Sequence, residues 1–224
     1  MMNPEQIRSQ IEKLTCNLIE ISLSQSQNYP SLWQKDSNIT EISFNHSFGL
    51  SCMLKNCPYL EMFNELDKAR LYNIKMIDGA LLQLMYRFQK TELESHRLAF
   101  FPSPYLEEFQ NNPDVYKDEA VFTEVVFRNI VPFPLRFDYD SRNEVFIEVH
   151  HPKSHLSLGQ YKNCRIPVSS PLTPYQFICF VLRNFYNTAY IKFCENITIF
   201  SECFPETILG KEKELIYINV PKDS

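Results

Sequence analysis

A chain of 224 residues, 44% apolar and 14% aromatic, can bury a sizeable core without staples and is far from a disordered composition. The formal charge of −5 excludes a bulk-basic nucleic-acid binder. Its four glycines, Gly49, Gly79, Gly159 and Gly210, stand too far apart for a dinucleotide fingerprint, a phosphate-cradling loop or a nucleophile elbow.

In chain order, Asn3-Pro4 is a helix start, and Ile7, Ile11, Leu14, Leu18 and Ile21 recur every three or four residues, so a helix is predicted from Pro4 to Leu23. The polar stretch Ser24 to Ser37 reads as a loop, and Ile39 to Asn45 as an alternating strand. A short helix is expected over Pro58 to Leu66. Strands Leu71 to Ile77 and Ala80 to Gln89 flank Asp78-Gly79, a hairpin signal, with Leu82, Leu84, Tyr86 and Phe88 on one face. Arg97 to Phe101 reads as the next strand, and Phe101 to Pro113 as a connection with one short helix. Leu135 to Asp140 and Glu144 to His150 form a second predicted hairpin around Ser141-Arg142-Asn143. Arg165 to Val168 is a short strand, Thr173-Pro174 opens a helix to Asn187, and Leu215 to Val220 is a last strand. Hairpins without strand–helix alternation imply an α+β fold: a twisted antiparallel sheet built from hairpins, with an N-terminal helix and a C-terminal-half helix packed on one face, as a single domain over 1–224.

No run of 18 apolar residues marks a membrane span, and the first residues lack a signal-peptide pattern. The seven scattered cysteines read as reduced, mostly buried thiols. Cys52 and Cys57 lack the second pair that a zinc site needs. A cytoplasmic protein without membrane contact is expected.

Charge is unevenly spread. Val149 to Cys194 holds none of the 27 acidic residues but carries Lys153, Lys162, Arg165, Arg183 and Lys192. Within it lies His150-His151-Pro152-Lys153-Ser154-His155, three of the five histidines in six positions; His46 and His96 stand apart. Alternation puts Arg136, Asp138 and Asp140 on one face of their strand, where the predicted hairpin brings Asp138 and Asp140 near His150. Two chemistries fit. His150, His151 and His155 could serve as acid and base on a phosphodiester, with Asp138 or Asp140 orienting an imidazole and Arg165 or Lys153 stabilising developing charge. Alternatively histidines and aspartates could hold a metal that activates water; the spacing matches no zinc signature, and no metal or other cofactor is assigned. The same histidines also read as a strand end, a turn and a cap. Ser154 joins the ligand-binding candidates. Ser169, Ser170 and the helix start at Thr173 read either as an anion pocket or as a rigid strand-to-helix connection. Tyr161, with Tyr175, Tyr186 and Tyr190, could stack bases beside the cations or pack as core.

The tract His-His-Pro-Lys-Ser-His-Leu-Ser-Leu-Gly-Gln-Tyr-Lys-Asn-Cys-Arg-Ile-Pro-Val-Ser-Ser-Pro-Leu-Thr-Pro from His150, followed by Phe-Val-Leu-Arg-Asn-Phe-Tyr, resembles a bacterial family known as domain of unknown function 2290. The resemblance brings no established activity. Arg136-x-Asp138 on a strand followed by His150-His151 and His155 is similar to small bacterial toxins of toxin–antitoxin pairs, although this chain is longer and carries an added N-terminal helix. This second similarity, with the histidine cluster, implies a toxin-like or phage-defence protein acting on RNA or DNA. The competing expectation is a non-catalytic, antitoxin-like accessory subunit that binds a protein partner encoded nearby; a small-molecule or metal enzyme is the third.

Overall fold

The computed structural model describes residues 2–44, 57–105, 133–161 and 163–222. Its order is α1 (Pro4–Glu20), β1 (Ser24–Gln27), β2 (Ser31–Gln34), β3 (Ile39–Ser43), α2 (Tyr59–Lys68), β4 (Ile74–Met76), β5 (Leu81–Gln89), β6 (Glu92–Phe101), β7 (Leu135–Asp140), β8 (Ser154–Leu158), β9 (Ile166–Pro167), α3 (Pro174–Phe185) and α4 (Asn187–Phe193). The strands form one antiparallel sheet in the order β1-β4-β5-β6-β7-β8-β9. The same edge of β5 that takes β4 at Leu81 and Leu82 takes β3 over Tyr86 to Gln89, and β2 pairs onward from β3. The fold is α+β, as the hairpin-rich sequence implies.

Two local signals set the helix starts. Asn3 accepts from the Gln6 N–H while Gln6 accepts from the Asn3 N–H; Thr173 and Gln176 repeat the arrangement at α3. Each start therefore satisfies two otherwise unpaired backbone donors and follows with proline at the first helical position. The apolar stripes of both helices, Ile7, Ile11, Leu14 and Leu18 with Phe177, Ile178, Val181 and Leu182, share one core with Leu82, Leu84, Tyr86, Phe88, Leu98, Phe100 and Phe137 of the sheet. At roughly 1.5–3 kcal/mol per fully buried large apolar side chain, this layer is the main source of stability. On the other face, among the described residues, α2 covers one end, packing Met62, Phe63 and Leu66 on Leu81, Ala99 and Phe101. Further along, that face carries a row of charged side chains. Glu41 pairs with Arg87 and Lys35, Arg87 with Glu94, and Arg97 with Asp138.

Several expectations are corrected. Ser24 to Ser37 is not a loop: its polar residues form the edge strands β1 and β2, whose pairing with β4 and β3 outweighs weak intrinsic preference. Glu144 to His150 is not the partner of β7. That partner is β8, with Asp138 opposite His155, and the chain between them is irregular. Leu215 to Val220 makes one isolated bridge, Ile218 to Val168, rather than a strand. The described cysteines are unpaired, but Cys194 is exposed and Cys16, Cys57, Cys164, Cys179 and Cys203 are only half-buried. The strand predicted from Arg97 begins earlier, at Glu92, and the second long helix stops at Phe185 before α4. Asn45, Cys52, His46 and residues 106–113 of the predicted connection lie outside the described residues.

Candidate functional site

The segment between β7 and β8 is built around a tight reversal. The N–H of Ile147 donates to the His151 carbonyl at 3.2 Å, and the His151 N–H returns to Ile147 at 2.6 Å. Inside this ring the His150 N–H donates to the Glu148 carbonyl at 2.8 Å, with Val149 at φ 71°. This is the strained form of the three-residue γ-turn, held by a β-branched residue in the left-handed region, and sets a cost of order 1–3 kcal/mol. Glu148 ties the reversal to the 3-10 turn Lys211–Glu214 through an ion pair of 3.1 Å to Lys211.

The reversal faces the turn that joins β8 to β9. Between them lies a cleft of about 420 Å3 lined by Ile147, Val149, His150, His151, Asn163 and Arg165. Behind it His155 rises from β8, 6% exposed, with its ring 5.1 Å from that of His151 and edge-on to it. The Nδ1–H of His155 donates to the Pro152 carbonyl at 2.9 Å, which fixes the ring and leaves Nε2 as the acceptor of the neutral form. Across the strand pair sits Asp138, whose carboxylate takes the Arg97 Nε–H at 3.0 Å and has the Arg136 Nε at 3.7 Å.

Electrostatics follow from this layering. Burial works against the Asp138 charge, yet Arg97, Arg136 and then His155 hold its carboxyl below the usual range. Burial, with repulsion from Arg97 and Arg165, pulls Arg136 down against the support of Asp138. Two guanidiniums, Arg97 and Arg136, thus share one carboxylate, and Arg165 has no ion-pair partner among the described residues. Burial first, then Arg165, lowers His151; burial also lowers His155, against the opposing pull of Asp138. Both imidazoles are neutral at pH 7. The place holds proton acceptors beside excess positive charge, which suits an anionic ligand.

The sequence candidates are therefore sorted. His150, His151 and Arg165 line the cleft; His155 and Asp138 stand behind it. Asp140 is bound to its own turn by Arg142 at 2.6 and 2.9 Å. Lys153 lies 5.8 Å over the Phe146 ring rather than in the cleft lining. Ser154 shares a hydrogen bond of 3.0 Å with Thr207, and the Ser169 hydroxyl takes the Val220 N–H at 2.8 Å. Ser170 and Thr173 are buried, and Thr173 caps α3 itself, so this tract is used as the rigid connection. Tyr161 is 78% exposed on the β8–β9 turn, and Lys162 lies outside the described residues. The acid-free segment is divided between surface and core, since Val168, Leu172, Phe177 and Tyr186 are buried. Asn163 and Arg97 were not legible as site residues. Arg97 already opens the strand predicted to Phe101, but only the pairing of β6 with β7 sets it opposite Asp138. Among the described residues, no three His, Cys, Asp or Glu side chains gather as metal ligands would.

A family model described as an uncharacterized conserved protein, DUF2290, matches residues 23–220. The chain belongs to this family. The DUF2290 match begins after α1 and takes in every strand of the sheet and the whole cleft. No curated protein and no solved structure matches the chain. Among the described residues of this DUF2290 protein, no helix is long and apolar enough to cross a membrane.

Proposed function

We propose that the DUF2290 cleft cleaves RNA by acid–base chemistry carried on imidazoles. The observation behind this reading is the meeting of His150, His151 and Arg165 in one cleft, with neutral His155 packed edge-on behind His151. His151, kept unprotonated by burial and by Arg165, accepts the proton of a ribose 2′-hydroxyl. The freed 2′-oxygen bonds to phosphorus, the bond from phosphorus to the 5′-oxygen breaks, and His150, as the acid, gives a proton to that oxygen. The products are a 2′,3′-cyclic phosphate and a 5′-hydroxyl. Arg165 and Asn163 stabilise the charge that builds on the phosphoryl oxygens. His155 is a positioning residue, clamped by Pro152 and backed by Asp138.

The test is labelled RNA and DNA strands of one sequence, with and without EDTA. RNA cleavage that persists in EDTA, leaves a cyclic phosphate and disappears in His151→Ala supports the reading. Equal cleavage of DNA removes the 2′-hydroxyl as nucleophile, and no cleavage by a well-folded protein removes catalysis.

A second reading, an accessory subunit holding a partner protein, draws on the exposed run Leu215-Ile216-Tyr217, where Ile216 is 92% exposed. Co-expression with the product of an adjacent gene checks it. A complex that survives size exclusion and is lost in Ile216→Asp favours this reading; no complex with any neighbour removes it.

A further inference from the structure

The β8–β9 turn presents an aromatic side chain that the cleavage chemistry does not use. Tyr161 is 78% exposed, unusual for so large an aromatic, and sits four residues before Arg165. Two backbone hydrogen bonds flank it. The Gly159 N–H donates to the Pro134 carbonyl at 2.7 Å, and the Cys164 N–H to the Tyr161 carbonyl at 3.3 Å. Gly159 takes φ +59°, and the Tyr161 ring is next to it: a Cβ there would stand in ordinary contact, 3.4 Å from Tyr161 Cδ2 and 3.8 Å from Phe133 Cβ. Phe133, 46% exposed, therefore borders the same spot. From Gly159 to Arg165 there is no acidic residue to repel a polyanion. Tyr161 thus offers an exposed ring four residues before a guanidinium that lines the cleft and has no ion-pair partner among the described residues, and an aromatic ring with a nearby cation is the pairing by which proteins hold unstacked bases.

We infer that the strand enters the cleft unpaired, with the base beside the bound phosphodiester stacked on Tyr161. The inference rests on the cleft receiving a phosphodiester, as proposed above. The chemistry points the same way. Attack by a 2′-oxygen needs that oxygen in line with the departing 5′-oxygen, an arrangement a continuous A-form helix does not allow. A-form RNA also keeps its base faces stacked, whereas loops and ends can splay one onto a tyrosine.

Fluorescence anisotropy of a labelled RNA octamer, single-stranded and as a perfect duplex, tests this in a His151→Ala background that prevents cutting. The single strand is expected to bind at least about tenfold more tightly than the duplex. Tyr161→Ala should weaken single-strand binding about tenfold, while Tyr161→Phe, which keeps the ring face, stays within about twofold. In the turnover assay, Tyr161→Ala should raise KM with kcat unchanged. Equal affinity for duplex, no effect of Tyr161→Ala, or a Phe variant as weak as the Ala variant overturns the inference. Normal RNA cleavage by Tyr161→Ala removes the stacking and leaves the cleavage reading. Tyr161-dependent single-strand binding by a wild-type protein that never cuts supports the stacking and removes the catalysis.

Discussion

His96 and His155 lie two strands apart in one sheet, both almost wholly buried and both held neutral by burial, yet they are put to different use. His96 is on the helix-covered face, between the rings of Tyr86 and Tyr139, at centroid distances of 5.6 and 5.8 Å. Its Nε2 accepts the Leu172 N–H at 3.1 Å and so anchors the connection into α3. His155 is on the charged face, opposite Asp138 and against His151 at the rear of the cleft. Burial and a lowered pKa are common to both. The difference is what the ring is joined to: a backbone strap for His96, a second imidazole at a cleft for His155. A perturbed histidine is informative about function only together with its neighbours.

The comparison breaks most sharply on a pair of alanine variants. His151→Ala should lower RNA cleavage by about 10²–10⁴-fold while shifting unfolding free energy by less than about 1 kcal/mol, because the ring is half-exposed and serves the cleft. If the same variant loses stability and keeps its rate, the cleft is scaffold. His96→Ala should do the reverse. It leaves the Leu172 N–H without its acceptor and opens a cavity, a destabilisation of about 3 kcal/mol in urea unfolding, with kcat in the surviving folded fraction unchanged.

Acid should reveal the same division. His96 titrates at about 4 in the folded protein, well below the ordinary histidine value of about 6.5. Between those values the unfolded chain binds the extra proton. The stabilisation from neutral His96 is therefore complete above about pH 6.5 and is lost as pH falls toward 4, up to about 3 kcal/mol in all. His151 and His155 shift in the same direction and add to the loss. Urea midpoints measured from pH 7 to 4 should fall steeply for the wild type. In His96→Gln, whose side-chain carbonyl can take the Leu172 N–H, the fall should be much shallower; an unchanged slope would assign the acid sensitivity to other groups.

Those two histidines also mark where the sequence could be read and where it could not. The core was legible. The stripe from Ile7 to Leu18, the row Leu82, Leu84, Tyr86, Phe88 and the two proline-led helix starts all follow from local periodicity and capping, and the structure uses each as expected. The edge strands were not, because Ser24–Gln27 owes its strand to β4, fifty residues on, rather than to its own side chains. The histidine cluster was visible as a cluster, but its depth was not. Pairing β7 with Glu144 to His150 placed Asp138 near His150, whereas the true register, with β8, sets it opposite His155 and leaves His150 and His151 on an irregular reversal. One register decides which histidine lines the cleft and which stands behind it, and a chain of weakly apolar residues such as Ser154–Leu158 does little to declare it. His96, which no pattern picked out, holds the strap that precedes α3.

The smallest expected effect tests whether strain at the reversal serves the site. Val149 holds φ 71° between Glu148 and His150, where a Cβ-branched side chain is disfavoured and glycine is not. Val149→Gly relieves that conflict but also frees the unfolded chain, so a net gain of no more than about 1 kcal/mol is expected in urea unfolding. A reversal held only for folding would show nothing else. If it serves to present His150 and His151 together at the cleft, the glycine variant should be the more stable protein and the slower enzyme, with kcat lowered and KM for RNA little changed. Gain in stability without loss of rate would mean that the strained turn is a consequence of linking β7 to β8 and contributes nothing to catalysis.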